Sequence, residues 1–140
     1  MSLLGLDFGE KRVGVAQSDE LNFMAHAVGF ILRTSDEQVV SEIQKTIADS
    51  KIEQIVVGLP KTLKGETGIQ ANKVLAFIDL LKNKTSCSVI AWDERLTTAQ
   101  AEKALIHQDM SRAKRKLKRD AISAEIMLQS YLDFLKHKGV

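Results

Sequence analysis

"LLGLDFGEKRVGVAQSD", residues 3–19, decides how the chain folds. Leu3, Leu4 and Leu6 read as a core strand, yet Asp7 interrupts them and a glycine follows two residues later. Residues 12–18 form a second β-rich run after the "GEK" turn, so the chain opens by folding back on itself. Gly9 supplies the unusual backbone angles that such a turn needs. A carboxylate inside an apolar strand adds nothing to packing and is costly to bury. Asp7 is therefore the first residue to question for function.

Outward from this pair, "AVGFILR" at 27–33 is a third β-rich run, which predicts an antiparallel meander. The period then changes. In "TSDEQVVSEIQKTIADS" Val40, Ile43 and Ile47 share a helical stripe, and Thr34 with Glu37 fits a capping box. "QIVVGLP" at 54–60 reads as a buried strand ending at the only proline, followed by the loop "KTLKGETG". A helix over 69–83 turns Val74, Ile78 and Leu81 inward, and "SVIAW" at 88–92 is another buried strand. Thr97 and Gln100 fit a second capping box, opening a short helix to about Ile106. A last helix runs from about Asp120 to Lys136, with Ala121, Leu128, Leu132 and Leu135 on its apolar side. The order β-β-β-α-β-α-β-α-α predicts an α/β fold, a five-stranded mixed sheet with helices on its faces.

Composition narrows the class. A chain of 140 residues that is 44% hydrophobic and 27% charged fits one globular domain spanning 1–140. No stretch approaches the ~20 apolar residues of a membrane span, and no secretory leader pattern is visible, so no membrane partner is expected. Cys87 is the only cysteine, which excludes an intramolecular disulfide and predicts a small core residue in a reducing, cytoplasmic setting. His26, His107 and His137 are scattered and form no triad with serine and aspartate. The net charge of +2 is concentrated: residues 101–120 carry seven basic and three acidic side chains. Arg112, Lys114, Arg115, Lys116, Lys118 and Arg119 form an electrostatic footprint for a polyanion, with a phosphate backbone the leading candidate. Aromatics at 5% argue against a surface built mainly for base stacking.

Three carboxylate positions fall at element boundaries. Asp7 lies at the end of strand one, Asp93 and Glu94 follow "SVIAW", and Asp120 opens the last helix. Taken singly, Asp120 is also a fitting helix cap, and either acid of the pair an ordinary loop residue. Converging, they would repel unless a cation joined them, and hard oxygen ligands suit Mg²⁺ or Mn²⁺, as one or two ions. Two such ions activate a water and stabilise the leaving oxygen of a phosphodiester. Lys61 and Lys64, with the amides of Gly65 and Gly68 ahead of a helix, offer a phosphate site.

"GLDFGEKRVGVAQSD", "VVGLP" with "KGETG", "DERLTT" and "RDAISAEIMLQSYL" occur in that order from Leu3 to Leu132. Together they resemble the motif set of the YqgF family of ribonuclease H-like proteins. Members are described as nucleases for the 5′ end of pre-16S ribosomal RNA, and some as Holliday-junction resolvase-like. The resemblance implies a ribonuclease H-like fold with Asp7, an acid of "DER" and Asp120 around the metal. Glu94 is favoured in that block because resolvase-like relatives carry a glutamate after the corresponding strand, and Asp93 is its alternative. Lys11, Arg12, Arg95 and the basic cluster would then hold the substrate backbone.

One departure stands out. Many ribonuclease H-like nucleases carry a fourth carboxylate one turn into the last helix, where this chain has Ser123 and Ala124, with Glu125 nearby. The resemblance thus implies a metal-dependent nuclease of structured RNA, or of branched DNA, acting as a monomer or homodimer. A nucleic-acid-binding ribosome-assembly factor with vestigial acids is the alternative from another class. A phosphotransferase of the sugar-kinase type shares the fold but needs two such domains.

Overall fold

The computed structural model describes residues 2–9, 11–59, 68–94 and 119–138, the last stretch without the side chains of 119, 120 and 138. Among them β1 (Ser2–Phe8), β2 (Arg12–Ser18) and β3 (Ala25–Leu32) form the expected meander. Then come α1 (Asp36–Asp49), β4 (Ile52–Leu59), α2 (Ile69–Lys84), β5 (Ser88–Asp93) and α3 (Arg119–Lys138). The sheet order is β3-β2-β1-β4-β5. β1 pairs antiparallel with β2, and β2 with β3, whereas β1–β4 and β4–β5 are parallel. The second capping box at Thr97, the helix it opens, and the basic loop lie outside the described residues.

Side-chain alternation along the strands divides the core in two. Leu4, Leu6, Phe8, Val13, Val15, Ile55, Val57 and Val89 face α1 and α2, meeting Val39, Ile43, Val74, Phe77 and Leu81. Leu3, Ala16, Ala25, Val56 and Trp92 face α3, meeting Ala124, Met127, Leu128, Tyr131 and Leu132. Asp7 follows the alternation of Leu3 and Gly5, which places it on the α3 face. Val74, Ile78 and Leu81 are buried as expected, and so are Ala121, Leu128 and Leu132. Leu135 is instead 37% exposed, because the helix face that meets the sheet runs through Met127, Tyr131 and Leu132. Cys87 is half-buried against the α1/α2 core, with its thiol directed at the Ile52 carbonyl oxygen, 3.4 Å away.

The α1 cap is shifted by one residue from the Thr34/Glu37 expectation. Ser35 is the N-cap, its hydroxyl oxygen accepting from the Gln38 amide. The Gln38 side-chain oxygen in turn accepts from the Thr34 amide and hydroxyl. Thr34 and Ser35 are both good cap residues, each with a Glu or Gln three positions on, so composition alone does not separate the two registers.

Candidate active site

Two devices hold Asp7. Behind it, the β1–β2 turn closes with the Gly9 amide donating to the Arg12 carbonyl, 2.9 Å. A Cβ on Gly9 would lie 2.7 Å from that same oxygen, so only glycine fits the turn. Arg33, just past β3, braces the turn. Its amide donates to the Lys11 carbonyl at 2.9 Å, its guanidinium stacks on Phe8 at 4.4 Å, and Asp36 fixes that guanidinium at 3.0 Å. Beneath Asp7, β1 lies directly under α3: a Cβ on Gly5 would stand 2.9 Å from the Leu128 Cβ.

The helix direction follows from its contacts. Tyr131 donates its hydroxyl to Gln54 near the start of β4, while Leu128 sits over Gly5, which pairs with Val56. Going toward the start of α3 therefore means going toward the carboxyl ends of β1 and β4. Arg119 and Asp120, the first two residues of α3, belong to the same end of the sheet as Asp7. One turn after Asp120, Ala124 is fully buried against the sheet, and that position is spent on packing.

Glu94 comes to Asp7 from two strands away. Trp92 faces α3, with its ring 5.2 Å from Tyr131 and 5.1 Å from Phe134, which ties the end of β5 to the helix. Alternation sends Asp93, paired with Leu59, to the opposite face and returns Glu94 to the α3 side. There the Glu94 carboxyl lies beside the Asp7 carboxylate. Between them lies Gly58 of β4, and a Cβ on it would stand 2.6 Å from Glu94 Oε1. Burial, then the hydrogen bond to Asp7 and the negative charges of Asp7 and Asp93, push the Glu94 carboxyl from its ordinary 4.5 up to about 8.

Of the expected site residues, the structure thus brings Asp7 and Glu94 together and turns Asp93 away from them. Among the described residues no group of three His, Cys, Asp or Glu side chains gathers to hold a metal. Asp120 opens α3 as expected, with only its backbone described. Lys11 and Arg12 are exposed beside the β1–β2 turn, and Arg12 stacks over Phe30 at 5.2 Å. Arg12 shares the Asp7 face, because Gly14, two residues along β2, pairs directly with Asp7. Lys61, Lys64, Arg95, Arg112, Lys114, Arg115, Lys116 and Lys118 lie outside the described residues, as does the side chain of Arg119. Gly68 caps α2 with open space around it. Sequence reasoning missed Gly58, Gly5 and Arg33. Gly58 had a visible signal, a glycine inside the apolar run "IVVGL", which marks a close approach by another group.

A family model described as RuvX, Holliday junction resolvase, matches residues 1–134. The chain belongs to the RuvX family. This is the YqgF family that the motifs resemble. A Clostridium tetani protein named "Putative pre-16S rRNA nuclease" is 45% identical over 138 residues, covering 99% of this chain and all of its own length. A Desulforudis audaxviator protein of the same name is 43% identical over 136 residues, covering 97% and 96% of the two chains. Among solved structures, T. thermophilus RuvC in complex with a Holliday junction substrate superposes with a TM-score of 0.62 at 13% identity. That match covers 99% of this chain and 96% of RuvC. At that identity the match carries the fold alone, and it shows the expected ribonuclease H-like architecture. Family description and relatives' names agree on nuclease function. Among the described residues no helix is long and apolar enough to cross a membrane.

Proposed function

We propose that this chain is a metal-dependent nuclease that hydrolyses phosphodiester bonds during 5′-end maturation of pre-16S ribosomal RNA in the cytoplasm. The observation that carries this reading is the Asp7–Glu94 pair: two carboxylates, one on β1 and one just past β5, brought side by side on one face at the carboxyl edge of the parallel strands. Such a pair must take up either a proton or a cation, and its hard oxygens match Mg²⁺ or Mn²⁺. The donor set therefore fits the metal that the fold family implies.

Asp7, Glu94 and Asp120 would hold the ion, with Asp93 turned away from the pair. An Mg²⁺ or Mn²⁺ ion held there would supply a water of lowered pKa and stabilise the leaving oxygen. The chain's own part is to position. Asp7 is fixed by the braced turn, and Glu94 would have to be deprotonated to serve as a ligand. Lys11, Arg12, Lys61, Lys64, Arg95 and the 112–119 cluster neutralise phosphates along the substrate. The relatives' names favour RNA, while the family description and the RuvC complex favour a branched DNA substrate as the second reading.

One experiment separates these readings: purified protein on 5′-extended pre-16S RNA and on a four-way DNA junction, in Mg²⁺, in Mn²⁺ and in chelator. Metal-dependent shortening of the RNA supports the proposal. Cutting of the junction alone supports the resolvase reading. Binding of either one without cleavage in any metal makes the chain an assembly factor.

A further inference from the structure

We propose that Gly58 is a positioning residue of this site: its missing side chain is the space through which Glu94 reaches Asp7. The inference rests on the carboxylate pair being the metal-binding site. Glycine is a poor choice for a strand interior on backbone grounds, since it loses more freedom on folding and packs nothing. β4 nonetheless carries one in the middle strand between Asp7 and Glu94, on the face that both side chains share.

What surrounds the position explains it. The three atoms nearest a Cβ on Gly58 all belong to one side chain, Glu94 Oε1 at 2.6 Å, Cγ at 3.2 Å and Cδ at 3.3 Å. Two other tight glycines differ. At Gly9 the obstacle is the Arg12 backbone oxygen, and at Gly5 it is the Leu128 Cβ, neither of which can move without moving an element. At Gly58 the obstacle is the far end of a flexible side chain. A methyl group there leaves the strand in place and pushes the Glu94 carboxylate off Asp7. Gly9 and Gly5 thus serve the turn and the helix contact, whereas Gly58 serves the carboxylate pair. A glycine kept for packing would be crowded by α3, as Gly5 is.

The test compares Gly58→Ala with Asp7→Asn and Glu94→Gln, each measured for Mn²⁺ binding by electron paramagnetic resonance and for thermal melting in chelator. The expected result is a tenfold or greater weakening of Mn²⁺ binding in all three variants, with Gly58→Ala melting at or above the wild-type temperature. Wild-type Mn²⁺ affinity in Gly58→Ala, together with weakened binding in the two carboxylate variants, overturns the positioning role and leaves the metal site standing. Wild-type affinity in all three overturns the metal site itself. Should Gly58→Ala melt lower, the double variant Gly58→Ala/Glu94→Ala decides, because its methyl group has no carboxylate to meet. Recovery of the melting temperature relative to Glu94→Ala supports the proposal, and a persistent decrease makes Gly58 a packing residue and overturns it.

Discussion

Glu94, just past β5, meets Asp7 of β1 across the bare backbone of Gly58 on the strand between them. Two acids this close do not both ionise freely, and burial makes the Glu94 charge costlier still. The pair is therefore a proton trap without a cation and a cation site without the proton.

That exchange gives stability a pH dependence of definite sign. The folded protein keeps a proton on Glu94 up to about pH 8, whereas an unfolded chain releases it near 4.5. The proton-held pair therefore contributes its full stability below about pH 4.5, and the contribution fades as pH rises through about 8. Melting curves in chelator should fall in midpoint across this window, and Glu94→Gln should flatten that fall. A midpoint equally steep in Glu94→Gln would place the titration elsewhere. Solvent reaching the half-buried carboxyl keeps the effect smaller than the full shift implies.

Metal binding should follow the same proton. Because the ion must displace it, apparent Mn²⁺ affinity should rise about tenfold per pH unit up to pH 8 and level off above. Isothermal titration calorimetry in buffers of different ionisation enthalpy counts the released proton. One proton per ion is the expected figure at pH 7, and none would mean that Glu94 is not a ligand.

Gly5 is the packing counterpart. Gly5→Ala puts a methyl 2.9 Å from the Leu128 Cβ and must lift α3 from the sheet. Overpacking of this kind costs about 1–3 kcal/mol, which urea denaturation measures. Since α3 also carries Asp120, the same variant should weaken Mn²⁺ binding. Unchanged stability would show that the helix packs more loosely than the geometry gives.

Much of this was legible in the sequence, for identifiable reasons. Strand alternation and a change of period placed all five strands and α1, α2 and α3 within a few residues, because each is a long run with one buried face. Asp7 stood out because a charge within an apolar strand has no packing role. The pairing of Asp7 with Glu94 was not legible, since it depends on β4 lying between β1 and β5 and on Gly58 being small. The preference for Glu94 over Asp93 rests on family likeness, and the structure adds that the pleat puts Glu94 on the face of Asp7. The α1 cap was misplaced by one residue because Thr34 and Ser35 are both good cap residues.

The 112–119 cluster should carry the salt dependence of substrate binding. Reversing the charges of Lys114, Arg115, Lys116, Lys118 and Arg119 should weaken RNA binding and flatten the log–log salt slope by about 0.7–0.9 for each phosphate no longer neutralised. Filter binding between low and moderate salt measures it. An unchanged slope would show that the segment does not touch the RNA backbone.

The central claim is that Asp7 belongs to the centre that cuts the substrate. The most direct measurement is single-turnover cleavage of 5′-extended pre-16S RNA in Mn²⁺ by the wild type and Asp7→Asn, with RNA binding measured alongside. The expected result is cleavage by the wild type, none by Asp7→Asn, and binding largely unchanged between them. An Asp7→Asn variant that cuts at the wild-type rate would contradict it.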